Sequence, residues 1–168
     1  MQLPAEFRPE SFSRRGEATA WGMAILAILT WVFLAARGQP VPLAIRFVAG
    51  FTLLAGAAIS LTNWSDRRTV LRLSESGIAY ANGLRSVQLP WEQILQVRVY
   101  PSNLGDQVRV VGKQTFFTFR TYGEARLGEQ VRGRMGFAAG EQILNQVRRS
   151  AGLNHIERSG PAYIYTRD

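Results

Sequence analysis

The sequence predicts an α+β protein: a hairpin of two membrane-spanning helices, then an antiparallel β domain that ends in one helix. Three observations predict it. Two long apolar runs occupy the first third of the chain, and nothing like them follows. From Thr69 onward apolar residues recur at every second position, the period of a strand with one covered face. After Phe137 the spacing becomes helical, with Ile143, Leu144 and Val147 on one face.

The apolar runs are residues 18–36 (ATAWGMAILAILTWVFLAA) and 47–64 (FVAGFTLLAGAAISLTNW). Neither carries a charge. Each is about 18 or 19 residues long, close to the roughly 20 that cross a bilayer's hydrocarbon core as a helix. A core helix of a soluble protein would show a polar face at helical spacing. These runs show only scattered Thr, Ser and Asn. Trp21, Trp31 and Trp64 sit at or near run ends, where aromatic rings favour the membrane interface.

Flanking charge orients the hairpin. Arg8, Arg14 and Arg15 precede the first run, and Arg67, Arg68 and Arg72 follow the second. The Gly38-Gln39-Pro40 connector has Arg37 and Arg46 at its edges. The positive-inside rule then puts both termini in the cytoplasm, as in a multi-pass inner-membrane protein. Ala35-Ala36 would serve as a signal-peptide cleavage site. Against cleavage, the apolar stretch exceeds a typical signal core, and Glu6, Glu10 and Glu17 mix with the arginines. The expected organisation is a cytoplasmic tail (1–17), a transmembrane hairpin (18–64), a β domain (66–152) and a C-terminal tail (153–168). On the second span Thr52, Gly56 and Ser60 form a small-residue stripe where another helix can approach closely. The first span is its expected partner. A second copy of the chain, or another membrane protein, is the alternative.

Each strand of the β domain has its own pattern. Leu71 and Leu73 flank Arg72, and a turn follows at Ser74-Glu75-Ser76-Gly77. Ile78 to Ala81 reads as a second strand, and Asn82-Gly83 is a hairpin signal. Val87 and Leu89, Val97 and Val99, Val108 and Val110, then Phe117 and Phe119 mark four more. Val131, Met135 and Phe137 suggest a seventh, interrupted by glycines. The closing helix ends near Gly152, with Arg148 and Arg149 suited to its C-terminus and Gly140 a weak start. Trp91, between Pro90 and Ile94, reads as a core plug at a strand corner. Residues 154–168 are expected to be loose, although Ala162-Tyr163-Ile164-Tyr165 is strand-prone.

The segment LRLSESGIAYANGLRSVQLPWEQILQVRVY (71–100) resembles the bacterial pleckstrin-homology-like membrane proteins. It carries strand, Gly turn, strand, Asn-Gly turn and strand. The Leu89-Pro90-Trp91 and Ile94 step then leads into the fourth strand. The likeness covers roughly residues 66–152, and the order of the pieces carries it. The resemblance implies a PH-like barrel or sandwich with a C-terminal capping helix, acting as a binding module. It implies no activity. Eukaryotic PH domains hold phosphoinositides with basic residues around their first loop, whereas the loop at Ser74 to Gly77 has no Lys or Arg. The layout of two spans and a small domain is also similar to a photosystem I assembly factor of plastids and cyanobacteria, with no shared motif.

The chemistry of the chain is mostly charge. The net charge is +8, and Lys113 is the only lysine. There is no cysteine, which excludes disulfides and thiol chemistry. His155 is the only histidine, and Asp66, Asp106 and Asp168 are the only aspartates. These residues supply no zinc set, phosphate-binding loop or nucleophile triad, so an enzyme and a bound cofactor are not expected. Glu75, Glu92, Glu129 and Glu141 read as solvated turn and helix residues. What stands out is arginine alternating with apolar residues: Arg72, Arg98, Arg109, Arg120 and Arg132, with Arg67 and Arg68 beside the membrane. Strand geometry points them away from the core. They are the candidate anionic contact face, against the plainer reading of a solvated exterior. No aromatics interleave with them in a stacking pattern, so nucleic acid is not expected. The expected function is a membrane-anchored scaffold or assembly subunit for an unidentified membrane or membrane-associated protein. The alternative is a sensor of anionic lipid surfaces. Homo-oligomerisation stays open.

Overall fold

A computed structural model of the chain describes residues 4–10 and 14–167, with Arg14, Arg15, Leu127 and Arg132 described by backbone alone. The described chain divides into a helical unit within Phe12–Trp64 and a sheet unit formed by the remainder.

The helical unit contains α1 (Arg14–Ala36) and most of α2 (Leu43–Arg68). Both helices are long and apolar enough to cross a membrane. Their most apolar stretches are only 6% and 11% buried, so side chains such as Leu26, Val32, Phe47 and Leu54 face outward. A helix pair in a soluble core would do the reverse. α1 closes at Gly38, whose φ of 67° lets its N–H reach Ala35 O at 3.0 Å while Gln39 N–H reaches Leu34 O at 3.1 Å. The two helices meet through the small-residue stripe expected on the second span. The Trp21 indole covers Gly56 at 3.5 Å from where a Cβ would stand. Trp21 Nε1–H donates to Ser60 Oγ at 2.8 Å, and the Ser60 hydroxyl donates to Glu17 at 2.8 Å. Asn63 Nδ2–H donates to the other Glu17 oxygen at 3.1 Å. Thr52 instead donates to the Val48 carbonyl of its own helix at 2.8 Å.

The sheet unit begins before the helices and resumes after them. β1 (Ala5–Phe7) pairs with β2 (Val70–Leu73), which continues to β3 (Gly77–Ala81) and β4 (Ser86–Pro90) in a four-stranded antiparallel sheet. The β3–β4 connection spans four residues, not the two that Asn-Gly suggests. Asn82 Oδ1 accepts from Leu84 N–H at 3.2 Å and Arg85 N–H at 2.9 Å, which holds the wider loop. A single 3₁₀ turn (Trp91–Gln93) forms the corner into β5 (Ile94–Tyr100). β6 (Gln107–Gly112) and β7 (Phe116–Arg120) extend a second antiparallel sheet. β8 (Gly123–Leu127) and β9 (Gln130–Met135) make a separate two-stranded ribbon where one interrupted strand was expected. After α3 (Gly140–Ala151), β10 (His155–Ser159) and β11 (Ala162–Thr166) return to the second sheet, giving the order β10-β11-β5-β6-β7.

Two expectations change. Of the barrel or sandwich expected, a closed barrel is not formed: closure needs first and last strands to pair, and here each sheet keeps two outer strands. The terminal segments expected as tails are strands added to those sheets. β1 pairs Glu6 with Arg72, and β11 pairs Ile164 with Arg98. Main-chain pairing with an existing strand orders segments too short or too exposed to fold by themselves.

One core cluster joins both sheets and α3. It includes Leu71, Leu73, Ile78, Leu89, Val97, Val108, Phe117, Ile143, Leu144 and Val147. Trp91 is 6% exposed within it, as expected of a plug, and its Nε1–H donates to the Glu75 carbonyl at 2.9 Å. α3 starts at Gly140 for a packing reason: a Cβ there would stand 2.5 Å from Thr121 Cα. Gly136 meets the same residue, with φ of 84° and no room for a Cβ beside the Thr121 carbonyl. The helix ends at Gly152 in the left-handed conformation, as the sequence suggests.

Candidate functional site

The five-stranded sheet has one apolar face and one cationic face. Period-two geometry sends Val97, Val99, Val108, Val110, Phe117 and Phe119 into the core. Their neighbours face the other way. The register sets Arg98 directly opposite Arg109, and Arg109 opposite Thr118. Arg120, two residues along β7 from Thr118, shares this face. Residues opposed on adjacent antiparallel strands stand about 4.5–5.5 Å apart at Cα. Like charges directly opposite one another destabilise a sheet.

Nothing in the described chain offsets that repulsion. Arg85, Arg98, Arg109 and Arg120 form no ion pair among the described residues. The Nε atoms of Arg98 and Arg109 are both buried without a hydrogen-bond partner. The acidic residue on the same cross-strand row is Glu157 of β10, separated from Arg98 by Ile164 of β11. Aromatic packing nevertheless holds Arg109 and Arg85 in place. The Arg109 guanidinium lies 3.9 Å from the ring centroid of Phe116, a residue that is 40% exposed. Arg85, from the β3–β4 loop, lies 5.0 Å from the same centroid. Its Nη2 donates to Thr115 Oγ1 at 2.8 Å and to Phe116 O at 2.6 Å. Arg120 Nη1 reaches Met135 Sδ at 3.3 Å.

The arginines singled out in the sequence therefore separate. Arg98, Arg109 and Arg120 come together. Arg72 lies in the four-stranded sheet, where its Nε donates to Glu6 at 2.9 Å. This pairing, with a second bond from Arg8, holds the Glu6 carboxyl below its ordinary range. Arg67 and Arg68 are exposed in the last turn of α2. The side chain of Arg132 lies outside the described residues. Arg85 was not legible as a member of the group. Its place depends on Thr115 and Phe116, about 30 residues away in sequence. On the helical unit, Gly56 and Ser60 of the small-residue stripe are engaged by α1.

A second concavity, of about 470 Å³, lies between the loops around Asn103 and Tyr122. It is lined by Asp106, Glu124 and Glu141 with Arg126. Its polar groups serve one another. Asp106 accepts from Ser102 N–H at 3.2 Å, and Glu124 accepts from Arg126 at 2.7 Å and from the Tyr122 hydroxyl at 2.8 Å. The Arg126 bonds, then that of Tyr122, hold the Glu124 carboxyl low. Among the described residues, no group of three His, Cys, Asp or Glu is placed to hold a metal. No family model, curated protein or solved structure matches the chain.

Proposed function

We propose that this chain is a membrane-anchored, PH-like binding module that serves as a scaffold or assembly subunit for a protein partner at the cytoplasmic membrane surface. One observation carries the reading: a cationic row on the outer face of the second sheet, with Arg109 packed on Phe116 and no ion pair to the row among the described residues. Two apolar helices supply the anchor. The positive-inside pattern favours cytoplasmic termini. The PH-like part of the reading is supported by chain order, with β2-β3-β4 in one sheet, β5-β6-β7 in the next and α3 after them. The β8–β9 ribbon and the added strands β1, β10 and β11 depart from that plan. The reading assigns no catalysis and no cofactor.

A photo-crosslinking residue tests it in native membranes. Placed at Thr118, on the cationic face, it is expected to give a discrete protein adduct; placed at Gln88, on the other sheet, it is not. Equal adducts at both positions, or none, would remove the support. For orientation, single cysteines at Gly38 and Ser159 are expected to give labelling at Gly38 alone with an impermeant reagent on intact cells. Labelling at Ser159 alone would reverse the orientation. Arg67 and Arg68, in the last turn of a candidate span, favour a second reading as an anionic-lipid sensor. In that case the Thr118 adduct would be lipid.

A further inference from the structure

We infer that the cationic face of the five-stranded sheet receives an extended acidic protein segment that presents carboxylates and an apolar side chain together on one of its faces. The inference rests on the reading of the domain as a protein-binding module and names the chemistry of its partner. The carboxylates sit on Arg98 and Arg109, and an apolar side chain covers Phe116.

Among the described residues, the opposed pair Arg98 and Arg109 is a cost without return, because the two charges repel and both Nε donors lack acceptors. An oxyanion laid across the pair offsets the repulsion, while the buried Nε atoms stay beyond its reach. Guanidinium edges suit such a group, since each presents paired donors in a fixed plane. Part of the site, Arg109 and Arg85, is also pre-organised. Arg109 is stacked on Phe116, and Arg85 is held by two hydrogen bonds, so little side-chain freedom remains to be lost on binding.

Spacing decides for a segment over a single headgroup. Arg98 and Arg109 face each other across strands about 4.8 Å apart, and Arg120 lies one strand beyond Arg109 and two residues along β7, about 8 Å from it on the diagonal. Half-buried Val111 and Ile164 and exposed Phe116 lie among them. One phosphate group would engage two cations and leave the Phe116 ring uncovered. An extended chain places alternate side chains at the same two-residue spacing as the sheet. The free edge of β7 is partly closed to strand addition: Arg85 takes the Phe116 carbonyl, and Phe137 N–H takes that of Arg120 at 2.9 Å. The segment therefore lies on the face rather than along the edge.

The test uses the full chain in phosphatidylcholine nanodiscs and a fluorescein-labelled Glu/Val peptide, in which Val, Glu and Glu recur in turn at every second position with Ser between them, read by fluorescence anisotropy. A Gln/Val peptide is the uncharged comparison. Binding of the Glu/Val peptide is expected to weaken at least tenfold in Arg98→Gln with Arg109→Gln. It should change less than twofold in Arg126→Gln with Arg149→Gln, which removes the same charge elsewhere. Phe116→Ala is expected to weaken it about threefold. Equal losses in the two double variants would reduce the effect to net charge and overturn the inference. Phosphatidylserine vesicles that displace the peptide from the wild type, and fail to bind the Arg98/Arg109 variant, would assign the face to lipid and overturn it too. Failure of the peptide to bind while the Thr118 adduct persists overturns this inference alone. Loss of the Thr118 adduct overturns the module reading beneath it.

Discussion

The helical hairpin and the cationic sheet face treat polar groups in opposite ways. In the hairpin, Glu17 accepts from Ser60 and Asn63, and Ser60 accepts from Trp21, so four polar side chains form one connected set. On the sheet face, Arg98 and Arg109 oppose each other with buried, unpartnered Nε atoms. Polar groups between apolar helices are expensive to leave unmet, so there they are consumed by structure. A sheet face open to water tolerates surplus charge, and surplus charge is available for a partner. Arg72 shows that the surplus is local, because across the neighbouring sheet it is matched by Glu6.

The largest effect expected from breaking this contrast lies in the shared core. Trp91→Ala removes a ring that is 6% exposed and strips the Glu75 carbonyl of its donor. A loss of about 3–5 kcal/mol is expected, read as a shift of the urea midpoint of the full chain in detergent. An unmoved midpoint would mean that the ring does not plug the corner.

Next comes the hairpin set. Ser60→Ala removes the acceptor of Trp21 and one donor to Glu17 together. Hydrogen bonds between membrane helices average about 0.6 kcal/mol with a maximum near 1.7, and a loss in that range is expected for thermal unfolding in detergent. If Ser60→Ala behaves like Thr62→Ala, whose hydroxyl serves only its own helix, the set is not a connection between helices.

A smaller effect sharpens the view of Arg72. Arg72, then Arg8, lower the pKa of Glu6 from its unperturbed 4.5. A carboxyl lowered in the folded state adds stability that is complete above that value and is lost as the pH falls through the folded pKa. Hydrogen exchange at the Phe7 amide is therefore expected to quicken relative to global exchange as the pH drops below 4.5. Arg72→Gln is expected to flatten the dependence, and an equally steep profile in that variant would contradict the pairing.

The sequence is explicit wherever apolar residues repeat. The two spans, β2 to β7 and α3 follow from period and hydropathy, and Trp91 from its place between Pro90 and Ile94. It is silent where order comes from pairing at a distance. β1 has three residues, and β10 is exposed along its whole length, so neither shows an apolar face. β8 and β9 carry charge and glycine, which interrupt their apolar alternation. Glu17 lies 43 and 46 residues from Ser60 and Asn63, and no local pattern announces such contacts. The arginine row was half legible. Alternation predicts an outward direction for each arginine, but only the register tells that Arg98 meets Arg109 while Arg72 meets Glu6.

The contrast between consumed and surplus polarity is tested most directly by the unfolding midpoint of Arg98→Gln with Arg109→Gln, compared with the wild type at low salt. Removing two opposed cations with unmet donors is expected to leave the midpoint unchanged or raise it, as happens where function is held at some expense of stability. A fall of more than about 1 kcal/mol would place these arginines among the groups that build the fold, and would contradict their role as a face kept free for a partner.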